Sequence, residues 1–427
     1  MTVHTATASH DTHSTSYMVR VIAAASIGNA LEWFDLLIYG YFAVTLSKLF
    51  FPSGNDFVAL MLTFGTFAVA YLVRPLGAIF IGAYADSHGR KAALMLSILL
   101  MMIGTAIMVA VPTYASIGIA APIAVLLARL LQGFSVGGEF GSSTAFLVEH
   151  SGTRKGFLAS WRWSSQGVAA ILASAFGVLL FSALSQQQLE SWGWRLPFVF
   201  GLLIGPIGLY IRSHLEEAPE FATIERSEAP LGELVVHQWQ PMLLSIGAVV
   251  LSTSSNYVIL YMPTYGIKEL GLPQSVGFTA TLMGAIILTV FSPLVGHWSD
   301  KVGRTAIMMA MCVLFAVSAY PAFVGLVHYP SLLSIVLIVG WMSLLKAGYS
   351  GVLPSLMAEI FPIRTRASGL SLSYNIGVPL FGGAAPFYMT VLIGLTGSNL
   401  VPSFYLIATA LLSLAVLVAI RASLRLR

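Results

Sequence analysis

Apolar runs of about 20 residues recur along nearly the whole chain, and a helix of that length crosses roughly 30 Å of hydrocarbon. Twelve such spans are expected, at 20–47, 56–84, 92–111, 117–140, 158–183, 192–213, 239–266, 274–298, 305–327, 331–357, 368–393 and 399–421. The composition agrees, with 57% hydrophobic and only 9% charged residues, far less charge than a water-soluble globule carries. The chain therefore reads as an all-α membrane protein of twelve transmembrane helices, and the even count puts both termini on one side.

Lysine and arginine fix which side, because cytoplasmic loops retain positive charge during insertion. Arg20, Arg90, Lys91, Arg154, Lys155, Arg212, Arg226, Lys301, Arg304, Arg364, Arg366, Arg421, Arg425 and Arg427 fall at one set of loop ends, against Lys48, Arg195 and Lys268 at the other. Both termini are expected to be cytoplasmic. This topology accounts for the net charge of +4, so no nucleic-acid partner is read into it. Residues 1–19 lack the basic start and small-residue cleavage site of a signal peptide and read as a disordered cytoplasmic tail. The spacing of His4, His10 and His13 matches no structural zinc site, and no metal or cofactor is expected. Cys312 is the single cysteine, which excludes a disulfide within the chain.

The longest polar interval, 214–238, separates six spans from six and reads as a cytoplasmic linker. It divides the chain into a bundle over 20–213 and a bundle over 239–421, with a short tail at 422–427. The halves repeat. Gly82-Ala-Tyr-Ala-Asp86-Ser-His-Gly89-Arg90-Lys91 reappears as Gly296-His-Trp-Ser-Asp300-Lys-Val-Gly303-Arg304-Thr305 at an offset of 214 residues. Glu149 and Arg154 reappear as Glu359 and Arg364 at an offset of 210. Two polar motifs at nearly one offset, each at the equivalent loop, point to duplication.

The loop Gly82–Lys91 resembles the signature of the major facilitator superfamily, and Arg129-Leu-Leu-Gln132-Gly133 resembles its fourth-helix motif. A narrower resemblance, to the metabolite:proton symporter branch, is carried by Gly28-Asn29-Ala-Leu-Glu32-Trp33-Phe34-Asp35, Arg74-Pro75-Leu-Gly77, Arg129 through Glu139, Lys155-Gly156-Phe157 and Trp192-Gly-Trp-Arg-Leu-Pro197. That branch includes carriers of citrate and other tricarboxylates, 2-oxoglutarate, shikimate, proline and betaine. The resemblance implies the major facilitator fold, two pseudo-symmetric six-helix halves, a place in the bacterial inner membrane, function as a monomer, and proton-coupled symport by alternating access. It also implies that Asp86, Arg90, Asp300 and Arg304 close the cytoplasmic side with Glu149, Arg154, Glu359 and Arg364. A carboxylate at the N-terminal end of a neighbouring helix gains amide hydrogen bonds and favourable dipole energy, which suits such a gate. Thr305 departs from the pattern, since the superfamily loop often has a basic residue there.

Ionisable groups inside the membrane are costly unless paired or facing water, so each is a functional candidate. They are Glu32 and Asp35 in the first span, Arg74 in the second, Arg129 and Glu139 in the fourth, Arg162 in the fifth and Lys346 in the tenth. Glu32 and Asp35 are three residues apart and share a helical face, with Asp35 expected to take the coupling proton and Arg129 to oppose it. A permanent ion pair between the first and fourth helices is the other reading. Arg162 and Lys346 lie in opposite halves and suit the carboxylates of a substrate, unless Glu32, Asp35 or Glu139 neutralises them. Arg129, Gln166, Asn256, Tyr257, Tyr349, Tyr374 and Asn375 complete the expected binding set. Arg74 precedes Pro75 and is expected to satisfy carbonyls freed by a distorted helix. Glu139 is left between a cavity-lining and a gating role.

No phosphate-binding Gly-rich loop ending in Gly-Lys-Ser or Gly-Lys-Thr occurs, and no credible nucleophile–base pair is present, so neither ATP-driven transport nor an enzyme is supported. A small carboxylate, di- or tricarboxylate such as citrate, is the favoured substrate. A proline or betaine carrier of the same branch is the alternative, and a channel is a third reading.

Overall fold

The computed structural model describes residues 15–88, 90–137, 139–149, 154–213 and 236–424, some by their backbone alone. Most of the expected tail, linker and final tail therefore lies outside the described residues. Twelve helical rods follow in order: α1 (Thr15–Tyr41, continued by Ala43–Phe50), α2 (Asp56–Leu72 and Arg74–His88), α3 (Arg90–Ala110), α4 (Ala120–Val136 and Glu139–Glu149), α5 (Lys155–Ala183), α6 (Leu196–Ser213), α7 (Trp239–Lys268), α8 (Gln274–Val302), α9 (Arg304–His328), α10 (Leu332–Ser350 and Leu353–Ile360), α11 (Arg366–Val378, a π turn Pro379–Gly383, and Ala385–Thr396) and α12 (Val401–Leu424).

Prolines set several breaks in these rods. Pro75 cannot donate to the helix, so α2 is interrupted at Val73 and restarts at Arg74. Pro354 likewise stands in the first turn of the second piece of α10, and Pro379 opens the π turn of α11. Gly303, at φ 103°, makes the sharp corner from α8 to α9 that a residue with a Cβ would strain to adopt. α4 runs to Glu149, nine residues beyond the expected end at 140. Its second piece, Glu139–Glu149, is too polar for a hydropathy window to extend over it, yet Phe140, Thr144, Ala145, Leu147 and Val148 are all buried.

The outer surface is apolar. Leu72, Phe80, Leu179, Leu203, Val317 and Leu395 are each more than half exposed, as residues facing lipid are. Polar side chains turn inward, including Arg74, Arg129, Arg162 and Lys346.

The halves α1–α6 and α7–α12 meet along α5 against α8, α2 against α11 and α1 against α7, an arrangement consistent with the internal repeat. Much of the α5–α8 seam is built of small and hydroxyl residues, with the rings of Phe181 and Phe278 stacked across it at 5.0 Å. A Cβ on Gly156 would reach the Gly296 carbonyl, and one on Gly296 the Gly156 carbonyl. Along it the Ser164 hydroxyl donates to the Thr289 carbonyl at 2.8 Å, and Ser174 to the Thr281 hydroxyl at 3.1 Å.

Within the first half, α2 and α4 cross with their backbones nearly touching: a Cβ on Gly133 would land on the Ala70 carbonyl oxygen, and one on Gly77 on that of Phe134. Because backbone cannot step aside as a side chain can, Gly133→Val is expected to lower the melting temperature of the detergent-purified protein by several degrees, as overpacking costs about 1–3 kcal/mol. Gly325→Ala, where nothing lies within 4 Å, is the control expected to melt like the parent.

Candidate functional site

Four helices bring the first cluster together inside the first half. Asp35 of α1 is buried and accepts from the Thr105 hydroxyl of α3. Thr105 in turn accepts from Gln132 Nε2 of α4 at 2.9 Å, and Gln132 Oε1 accepts from Arg129 Nη1 at 2.6 Å. Gly104 leaves room for the Gln132 side chain against α3, and Gly201 lets α6 approach Asp35 Oδ1. Arg129 is fully buried, with its guanidinium 4.4 Å from the centre of the Tyr39 ring and 5.6 Å from that of Phe67. The expected meeting of Asp35 and Arg129 thus occurs through two intervening side chains, and no direct ion pair joins them. Glu32 is buried one turn away on α1.

The second cluster spans both halves. Asn256 Oδ1 of α7 accepts from Gln166 Nε2 of α5 at 2.8 Å and from Lys346 Nζ of α10 at 2.6 Å. These three line a cavity between the halves with Tyr41, Thr281 and Ser343. Lys346 Nζ also lies 5.3 Å from the centre of the Trp163 ring and makes no ion pair with any described carboxylate. The cavity volume is about 20 Å³, room for one or two water molecules and far short of a tricarboxylate.

Arg162 is held elsewhere. Its Nη1 donates to the Ser143 hydroxyl at 2.7 Å, and its guanidinium lies 4.4 Å from the centre of the Phe140 ring. Tyr374 of α11 stacks on the Phe140 ring, with 3.5 Å between ring centres. Arg162 and Lys346 therefore do not line one cavity in this conformation. Asn375 Nδ2 donates to the Gly137 carbonyl at 2.6 Å, tying α11 to α4, and Tyr257 donates to the Tyr71 hydroxyl at 2.5 Å, tying α7 to α2. Tyr349, by contrast, is spent inside the second half, donating to the Ala248 carbonyl at 2.8 Å. The Arg74 guanidinium sits 4.1 Å from the centre of the Tyr71 ring, and its Nε and Nη2 make no hydrogen bond among the described residues, so neither atom satisfies a freed carbonyl there. The aromatic face of Tyr71 favours a cation at this place.

The halves touch at both ends. On the face rich in basic residues, Asp300 accepts from the backbone amides of Gly156 at 2.8 Å and Phe157 at 3.2 Å, in the first turn of α5. These are donors that a helix leaves unpaired, and the helix dipole favours the carboxylate there. Arg304 pairs with Asp300 at 3.4 Å and also with Glu359, so the α8–α9 corner is tied to the end of α10. Arg154 is exposed just before α5. The side chains of Asp86, Arg90, Glu139, Glu149 and Arg364 lie outside the described residues. At the opposite face Lys268 pairs with Asp56 at 2.7 Å across the halves, and Phe64 packs edge-on against Tyr261 at 5.6 Å.

Thr105, Ser143, Phe140 and Tyr71 are absent from the sequence-derived set. Hydroxyls and rings are common in membrane helices, and only their neighbours in space single these out.

The family model described as sugar (and other) transporter matches residues 21–241 and 225–423. A citrate-proton symporter of Klebsiella pneumoniae is 37% identical over 401 residues, covering 93% of this chain and 90% of its own. A proline/betaine transporter of Salmonella typhimurium is 34% identical over 418 residues, covering 92% of this chain and 82% of its own. In fold the chain is similar to the xylose transporter XylE of E. coli in a partially occluded inward-open conformation, at a TM-score of 0.73 and 16% identity over 96% of this chain and 98% of that one. With a family model matching nearly end to end and a relative above one-third identity over nine-tenths of both chains, the chain belongs to the sugar (and other) transporter family, within the metabolite:proton symporter branch of the major facilitator superfamily.

Proposed function

We propose that this protein is a proton-coupled symporter of a small di- or tricarboxylate, with citrate the leading candidate, working as a monomer in the bacterial inner membrane with its basic face and both termini in the cytoplasm. The observation that carries the reading is Lys346. It is buried, makes no ion pair with any described carboxylate, and shares its amide-oxygen partner with Gln166 of the other half. A cation desolvated without a counter-ion calls for an anion, and a carboxylate oxygen can take the place now held by Asn256 Oδ1. Arg162, one turn nearer the basic face, supplies a second donor group once the halves part. Asp35, linked to Arg129 through side chains that can rearrange, carries the proton, with Glu32 as the second candidate. Asp300, Arg304 and Glu359 hold the cytoplasmic side shut, and Asp86, Arg90, Glu149, Arg154 and Arg364 serve the same gate. The similarity to citrate-proton symporters supports the acid over the osmolyte, whose zwitterion also carries a cationic group.

Uptake into proteoliposomes of citrate, tricarballylate, 2-oxoglutarate and betaine, with and without an inward proton gradient, tests this. Gradient-driven uptake of at least one of the acids is expected. Gradient-driven betaine uptake with no acid carried would overturn the assignment of Lys346 and Arg162.

A further inference from the structure

The side chains between Arg129 and Asp35 have a forced direction. A guanidinium has donors only, so the Gln132 atom 2.6 Å from Arg129 Nη1 must be the amide oxygen. That turns Nε2 toward Thr105, whose hydroxyl oxygen must accept there. The single Thr105 proton then has two acceptors in reach: Asp35 Oδ2, and the Met101 carbonyl one turn back on α3 at 3.0 Å. While Asp35 is a carboxylate the proton belongs on it, because a hydrogen bond to a charged acceptor is the stronger one. When Asp35 is a neutral acid it has a proton of its own to place. The Thr105 hydroxyl can rotate its proton onto the Met101 carbonyl and accept from Asp35 through its remaining lone pair, keeping Gln132 as before. No proton leaves Thr105; the incoming one stays on Asp35. Each protonation state of this buried acid thereby keeps a hydrogen-bond partner at Oδ2, which matters because Oδ1 has none among the described residues.

We propose that Thr105 and Gln132 are positioning residues for the coupling proton: they pass the influence of Arg129 to Asp35 without contact, and the Thr105 hydroxyl changes from donor to acceptor as Asp35 is loaded. The inference rests on Asp35 being the proton-carrying group. Besides Arg129 on α4, the charged or titratable groups around it are Glu32 and Tyr39 on its own helix, with Arg74 and Tyr71 of α2 beyond Arg129. The described residues of α3 and α6 that meet it, Thr105 and Gly201, bring none.

The test is the pH dependence of citrate uptake into proteoliposomes by the parent, Thr105→Val and Thr105→Ser, with Asp35→Asn as a separate arm. Valine keeps the shape and removes the donor, so the carboxylate form loses a charge-assisted hydrogen bond and the protonated form is favoured. The uptake midpoint of Thr105→Val is expected to move up by about one pH unit, while serine holds it near the parent's. Citrate's own titration is common to all variants and drops out of the difference. If valine fails to give monodisperse protein, Thr105→Cys, a weak donor of similar size, is expected to shift the midpoint in the same direction. An unshifted midpoint in a folded Thr105 variant, with gradient-driven uptake lost in Asp35→Asn, would sink the relay and leave the Asp35 assignment standing. Gradient-driven uptake surviving in Asp35→Asn would remove that assignment and the relay with it.

Discussion

Asp35→Asn will exchange labelled for unlabelled citrate across the membrane and will not accumulate it against a gradient. Asparagine has the shape of a protonated aspartate, and its amide nitrogen can donate to the Thr105 hydroxyl as the acid would. The variant is thus held in the loaded form and has nothing to release on the far side. In the parent each coupled proton adds about tenfold to the accumulation ratio per pH unit of gradient, since about 1.4 kcal/mol is a factor of ten. The variant's ratio is expected to stay near one. Accumulation by Asp35→Asn at the parent level would move the proton to Glu32, and Glu32→Gln would then show the loss.

Lys346→Met will separate stability from transport. The side chain is 3% exposed, and methionine fills much of the same space without a charge. Removing a buried cation whose partners among the described residues are an amide oxygen and an aromatic ring relieves a desolvation penalty, so the purified variant is expected to melt higher than the parent. Citrate uptake, in contrast, is expected to fall at least about 100-fold, which corresponds to about 3 kcal/mol for stripping a desolvated carboxylate of its charged partner. A lysine placed only to brace α10 against α7 would give the opposite pair of results, a lower melting temperature with transport falling in step. Parent-level citrate uptake by Lys346→Met would remove the cation from the binding site.

The helices and the two halves were legible because lipid demands long apolar runs and the loop motif around Asp86 repeats around Asp300. Asp300 also stands where a carboxylate was expected, at the start of another helix, since a Gly-rich corner leaves few other places for it to point. Lys346, Asn256 and Gln166 were readable as rare polar groups in apolar spans, though their sharing of one oxygen atom was not. Sequence separation hides such meetings: Gln166 and Asn256 are 90 residues apart. That Arg129 reaches Asp35 only through Gln132 and Thr105 was hidden for the same reason. Nothing in an apolar α3 marks Thr105 as different from Thr63 or Thr66, which donate to their own helix backbone. The end of α4 was missed because hydropathy measures lipid exposure, and a helix segment wrapped by its neighbours can be polar at no cost.

The seam between α5 and α8 bears on how fast the halves can separate. The Thr281 hydroxyl donates to the Phe278 carbonyl at 3.0 Å, and Ser160 and Thr289 donate within their own helices to Phe157 and Ala285. Ser164 and Ser174 reach across, and a serine in a helix can fold back onto a carbonyl of the preceding turn when its neighbour withdraws. Parting the middle of the seam therefore breaks few hydrogen bonds that cannot reform at once, whereas its ends are held more firmly, by Asp300 on the Gly156 and Phe157 amides and by Phe278 against Gly177 and Phe181. Such a surface works as a bearing: it keeps the halves in register along one line, and leaves the contacts at its two ends, together with substrate and proton, to decide which way the carrier faces.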